Sequence, residues 1–415
     1  MNYRYLFILS ISLVFFSCSK NQITLPPYNP DSNLDRTLPI PDSVMKKMEG
    51  IYNLAGGNTD LGQNFVCKVS KNRVSFFSNL DGIFMILKYG FNPIDSSIQF
   101  SGFWRYSEKS IQQKIGFAIS KTDGSMDFIK NGIVNNLKLQ GLFLGLDLYT
   151  KEITFQFNKH FSQYTQQNEF AIFGHHGVQT TANPPYAENS LDGILNAESY
   201  GVNGMEFDVR MTKDNIPICI HDPSIDIRLT LKGPLSGDYD QYSFSLLSEY
   251  IRLIDGQKIP SVEQVLDAFV TKTDLKYLWL DIKGNTGIFK YLEPLVKAAY
   301  AKAATLNRKV VIFADLPSQD VIDEYQTQPS YYPLPTMCEL ALQDVIDNKC
   351  QYWGPRYSEG LLLDEIEQAH SLGIKVFSWT LNDKDLITNY LQNGKFDGFI
   401  SDYPAYVVYD YYTMF

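Results

Sequence analysis

From Phe170 onward, short apolar runs alternate with stretches of helical periodicity, and this alternation restricts the second half of the chain more than any other feature. Strand-like runs fall at residues 171–173, 204–211, 277–282, 310–314, 335–338, 351–353, 375–380 and 398–401. Helical stretches near 188–199, 289–304, 320–325, 340–346, 361–371 and 383–392 separate most of them. A parallel strand pair needs a long crossover, so this alternation builds a parallel sheet with helices on its faces. Eight such strands in about 245 residues predict an α/β chain closed into a (β/α)8 TIM barrel.

One strand-like run, 216–221, does not fit that count. It follows 204–211 after only Thr212-Lys213-Asp214-Asn215, too short for a parallel crossover, so the link is a hairpin. With Asp214-Asn215 as a two-residue turn, Lys213 pairs with Ile216 and Asp208 stands opposite His221. A carboxylate and a histidine thus meet at the C-terminal end of a barrel strand, the rim on which such barrels carry their active sites.

Other residues gather at the same rim. The chain has five histidines, and His175, His176 and His221 all fall at strand ends there. Glu206 and Asp208 are two apart on one strand and share a face; Asp281 and Lys283 repeat the spacing on the next barrel strand. Three carboxylates around one mouth repel each other unless a cation lies among them. An all-oxygen ligand set suits one hard divalent cation, Mg2+ or Ca2+.

The order of motifs carries a resemblance. His175-His176-Gly177, Glu188-Asn189-Ser190, Glu206-Phe207-Asp208-Val209, Thr212-Lys213-Asp214 and His221-Asp222-Pro223 follow one another, then Ile259–Glu263, Leu280-Asp281-Ile282-Lys283, Ser378–Asn382 and a closing segment at 397–404. Over about 168–405 the chain resembles the glycerophosphodiester phosphodiesterase family. The resemblance implies metal-dependent hydrolysis of a small glycerophosphodiester to glycerol phosphate and an alcohol, with the substrate's own hydroxyl as nucleophile and a cyclic phosphate on the path. It implies acid/base catalysis by His175 and His221, metal ligation by Glu206, Asp208 and Asp281, and phosphate contact by Lys283. Glu188 and Asn189 would line the site, and Trp379 would wall the alcohol portion. The chain departs from the family pattern twice: His176 stands where Arg is usual, and Asp281 where Glu is usual. Arg210, on the face of Glu206 and Asp208, would compensate for the first. It also resembles the Asp-x-Arg of phosphatidylinositol-specific phospholipase C, which is the alternative enzyme reading. The alternative of another class is an inactive, surface-anchored binding protein.

The first half reads differently. Arg4, an apolar run over 6–16 and then Ser17-Cys18 resemble a bacterial lipoprotein signal over residues 1–18, with Cys18 the lipidated residue. That implies a lipid-anchored protein of the cell envelope, facing the periplasm or the exterior, with the membrane as a partner. Residues 19–45, with Pro26, Pro27, Pro30, Pro39 and Pro41, read as a linker. Residues 46–164 read as an all-β antiparallel sandwich or barrel of unassigned role, with hairpins at Lys71-Asn72 and Asp123-Gly124. Residues 165–415, which hold every motif above, are expected to fold and act without it. A net charge of −10 argues against a nucleic-acid partner. Cys67, Cys219, Cys338 and Cys350 show no metal-ligand spacing; Cys219 reads as a buried apolar residue, and a Cys338–Cys350 pair is the less favoured possibility.

Overall fold

The structure is a computed structural model describing residues 34–178, 186–284, 287–329 and 334–415. The signal segment, Cys18 and the linker up to residue 33 lie outside the described residues.

Eight antiparallel strands close the first barrel: β1 (Gly50–Gly57), β2 (Asn64–Ser70), β3 (Arg73–Ser78), β4 (Ile83–Asn92), β5 (Ser97–Tyr106), β6 (Gln112–Ile119), β7 (Lys138–Leu144) and β8 (Thr150–Lys159). Of the two expected architectures, the barrel is the one formed: β1 pairs with β8 and leaves no free edge. Its interior is packed with aromatic rings, among them Phe65, Phe76, Phe117 and Phe155, with ring centroids 4.1 to 5.4 Å apart for the three pairs that Phe155 makes. The Lys71-Asn72 hairpin forms as expected, with Asn72 at φ 50. The Asp123-Gly124 hairpin does not. Ser125–Asn131 is a short helix, and β6 pairs instead with β7. The apolar run after Gly124 is too short to separate a period of 2 from one of 3.6, and burying Phe128 decides for the helix. Part of the expected linker is also folded: Leu38 bridges to Phe91, and Ile40 and Met45 enter the barrel core.

The second barrel has eight parallel strands: β9 (Ala171–Gly174), β10 (Gly204–Met211), then, after a hairpin strand β11 (Pro217–Cys219) and a small outlying pair β12 (Ser224–Ile225) and β13 (Gly237–Asp238), β14 (Tyr277–Ile282), β15 (Val311–Leu316), β16 (Thr336–Cys338), β17 (Tyr352–Trp353), β18 (Lys375–Ser378) and β19 (Gly398–Ser401). β19 pairs with β9 and β9 with β10, so the ring is closed. Phe173, Tyr277, Trp279, Phe313, Met337 and Phe377 fill its centre. A helix the periodicity reading passed over, Val262–Lys272, follows β11 and is held by a Ser261/Gln264 capping box.

The hairpin exists, but its register is one residue away from expectation. Val209 faces Cys219 and Met211 faces Pro217. Asp208 O accepts from the N–H of Ile220, so His221 lies one position beyond Asp208. The turn has three residues because Asn215 takes a left-handed conformation, φ 62, and Asp214 accepts from the Thr212 hydroxyl.

The two barrels share a core. Val66, Phe77, Phe84 and Ile86 of the first pack in one apolar cluster with Tyr200, Tyr406, Val407 and Val408 of the second. The Lys68 ammonium donates to Tyr412 Oη, and Ser75 Oγ to the carbonyl of Ser199. The expectation that 165–415 stands alone loses its physical basis, because separation would uncover these side chains. All four described cysteines are buried and free, so Cys338 and Cys350 are unpaired.

Candidate active site

β9 ends in a turn that puts three successive residues in left-handed backbone: His176 (φ 46), Gly177 (φ 85) and Val178 (φ 52). For the two non-glycine residues this is costly, most of all for β-branched Val178. The turn aims the His176 N–H at Glu206 Oε2, 2.8 Å away, and sets its ring beside Asp208, Nδ1 to Oδ2 2.7 Å. Asn189, also left-handed (φ 56), donates to Asp208 Oδ2 at 2.6 Å and accepts the Asp208 N–H at 2.9 Å.

β10 and β14 pair in register, Asp208 beside Asp281, so the three carboxylates converge as the spacing predicted. Glu206, Asp208 and Asp281 each offer an oxygen, all within 4.8 Å of one another. Lys283 Nζ stands 2.6 Å from Asp281 and 2.9 Å from Asp208. Two buried oxygens, Glu206 Oε1 and Asp281 Oδ1, have no hydrogen-bond partner. Unsatisfied buried carboxylate oxygens are costly, and a hard cation would satisfy them. The residues present therefore fit a divalent ion. Burial and the neighbouring Asp208 push Glu206 well above the usual carboxylate range. Burial opposes ionisation of Asp208 as well, yet facing His176 and Lys283 holds it below that range. Burial likewise opposes charge on His176, but Asp208 and Glu206 raise it to about 10.

Each of the other two histidines leans on a carboxylate. His175 Nδ1 lies 2.6 Å from Asp402, itself held by Asn382 Nδ2 at 2.6 Å. Burial, with the neighbouring charge of His176, pulls His175 below its ordinary value. His221 Nδ1 lies 2.7 Å from Asp222, and its ring centroid is 5.0 Å from that of His176. His221 reaches the site despite the shifted register because β11 ends at Cys219, which frees the side chain from the pleat.

A cleft of about 660 Å³ joins these groups; His175, His176, Glu206, His221, Asp281 and Lys283 all line it. Arg210 lines it too, while its Nε donates to the His221 carbonyl at 2.7 Å. Trp379 forms a wall, its Nε1 donating to the Gly354 carbonyl. Glu188 does not line the cleft directly; it is buried and binds Arg228, Nη1 to Oε1 2.7 Å. The periodicity reading missed Arg228, which also grips both oxygens of Asp222 at 2.8 Å and so steadies the carboxylate behind His221. It missed Asp402 as well. Neither stands on a strand with a readable period; only the fold brings them to the histidines.

The second half of the chain matches known proteins. The model of the glycerophosphoryl diester phosphodiesterase family matches residues 175–406. A glycerophosphodiester phosphodiesterase of Caldanaerobacter subterraneus subsp. tengcongensis is 24% identical over 233 residues, covering 53% of this chain and 90% of the relative. A glycerophosphodiester phosphodiesterase structure from Parabacteroides distasonis is 20% identical with a TM-score of 0.45, covering 57% of this chain and 95% of its own. A phosphodiesterase of Oleispira antarctica, solved with the product sn-glycerol-3-phosphate, is 17% identical with a TM-score of 0.45, covering 58% and 96%.

Proposed function

The chain belongs to the glycerophosphoryl diester phosphodiesterase family and is a phosphoric diester hydrolase; from that premise we propose that it cleaves small glycerophosphodiesters to glycerol phosphate and an alcohol, by two-histidine acid/base catalysis at a divalent-cation site. The observation that supports this best is the meeting of Glu206, Asp208 and Asp281 with two carboxylate-tethered histidines at one barrel mouth. A cation held by Glu206, Asp208 and Asp281 would supply Lewis-acid stabilisation of charge on the phosphoryl oxygens. Lys283, 2.9 Å from Asp208, adds fixed positive charge at the same mouth, and the His176 ring stands against Asp208 beside it. His175 fits the base: its lowered pKa leaves the imidazole neutral near pH 7, and Asp402 at Nδ1 leaves Nε2 to take the proton of the attacking hydroxyl. His221, oriented through Nδ1 by Asp222, fits the acid that protonates the leaving alkoxide.

The test combines chelation with one substitution. Activity on glycerophosphodiesters should vanish in chelator, return with Mg2+ or Ca2+, and be abolished in Asp208→Ala, whose circular dichroism should stay that of the wild type. Full turnover in chelator would reject the metal and favour the phospholipase-C-like reading, with Arg210 supplying the charge. Folded protein inactive on every phosphodiester would favour the binding-protein reading.

We also propose that Cys18 anchors the mature protein in a membrane of the cell envelope, on the strength of the Ser17-Cys18 signal. Wild type should partition with membranes in a Gram-negative host and Cys18→Ala should not; equal partitioning would reject the anchor.

A further inference from the structure

The carboxylates, histidines and lysine assigned to the reaction sit at the ends of β9, β10, β11 and β14, with Asp402 after β19. The opposite half of the rim, after β15 to β18, carries polar chemistry that the reaction leaves unused. Asp315 is fully buried; its Oδ2 accepts from Trp279 Nε1 at 3.2 Å, and its carboxyl interacts with that of Glu339. Glu339 follows β16 and lines the same 660 Å³ cleft as the histidines. Arg356 follows β17 and lines it too, its guanidinium 4.6 Å from the centroid of the Trp379 ring. Burial, with Glu339 beside it, pushes Asp315 well above the usual carboxylate range, so Asp315 keeps its proton and can donate it to Glu339. Glu339 then turns its remaining acceptor capacity to the cleft, while Arg356 presents a planar set of donors beside the Trp379 ring.

An acceptor and a planar donor in one cleft match adjacent hydroxyl groups, each of which both donates and accepts. A quaternary ammonium matches poorly: the Trp379 face it would seek already carries a guanidinium of like charge. We propose that Glu339 and Arg356 form the subsite for the alcohol portion of the phosphodiester and select a polyhydroxy alcohol, such as a sugar or cyclitol, over a cationic amino alcohol. The inference rests on the phosphodiesterase reading above and deepens it.

Two measurements on the full chain test it. Binding of glycerophosphoinositol and glycerophosphocholine is followed by calorimetry in chelator, and kcat/KM for both diesters is measured with Mg2+. The inositol diester should bind about tenfold more tightly or better, the range expected for a matched pair of polar contacts. Arg356→Ala, a change at an exposed side chain, should reduce that ratio towards one, mainly by weakening the inositol diester. Glu339→Met, which removes the acceptor at similar side-chain length, should do the same. Equal or tighter binding of the choline diester, or Arg356→Ala weakening both diesters alike, would overturn the subsite. Selective binding without turnover of either diester would leave the subsite standing and reject the hydrolase assignment to glycerophosphodiesters. Turnover of both with equal kcat/KM and equal affinity would keep the hydrolase and reject the subsite.

Discussion

Both halves of the molecule are eight-stranded closed barrels with aromatic centres, yet the described rim chemistry gathers on one of them. Strand direction explains the difference. In the antiparallel barrel, successive strands run in opposite senses, so its turns are divided between two rims and no rim collects the ends of all eight. In the parallel barrel every C-terminal end lies at the same rim, so residues as distant in sequence as His175, Asp281 and Trp379 line one cleft. The interiors do similar work: Phe76, Phe117 and Phe155 in one, Phe173, Phe313 and Phe377 in the other, exclude water and fix the strands. The antiparallel barrel thus serves the other as a wall, covering Tyr200 and the helix Pro404–Met414.

Four experiments bear on that division of labour. The largest effect is expected from removing the wall. A chain of residues 165–415 should aggregate or show a far lower Tm than the full protein, since Tyr200, Tyr406 and Val408 would face water. A soluble, active fragment with unchanged Tm would mean that the shared core contributes little. Next come the rim residues. His221→Ala should lower kcat about 10²- to 10⁴-fold, the usual range for a general acid or base, with Tm near that of the wild type. Asp402→Asn should act through His175 and lower kcat by less than His175→Ala does, with KM little changed. An Asp402→Asn enzyme at wild-type kcat would remove that carboxylate from the mechanism. The smallest effect concerns the far half of the rim. Burial pushes Glu339 from 4.5 to about 7. The folded protein therefore keeps a proton that the unfolded chain releases above pH 4.5. The associated stability is complete below that pH and is lost as pH rises through about 7. Wild-type Tm should fall relative to Glu339→Gln across this window, by a few degrees at most for a domain of this size. Parallel Tm curves for the two proteins would show that Glu339 titrates normally.

Much of the site was legible because it lies on strands. Glu206 and Asp208 share a face by periodicity alone, and the brevity of the 212–215 link requires a hairpin whatever the fold. The hairpin register was not legible, because Asp214-Asn215 suits a two-residue turn and Asn215 equally suits a left-handed third position. Nor was the helix Ser125–Asn131, whose apolar run is too short to show a period.

The sequence by itself determined the parallel barrel and the placing of Glu206, Asp208, Asp281 and three histidines at its rim, since strand alternation and β-strand periodicity are local properties of the chain; the acid/base roles of His175 and His221 are what the family resemblance implies. Only the tertiary structure decided which carboxylate orients which histidine, that Arg228 braces Asp222 and Glu188, and that Glu339 and Arg356 share the cleft with the reacting groups. Those partnerships join strand ends and loops tens to hundreds of residues apart. Closure of the ring sets their distances, and no local pattern records it.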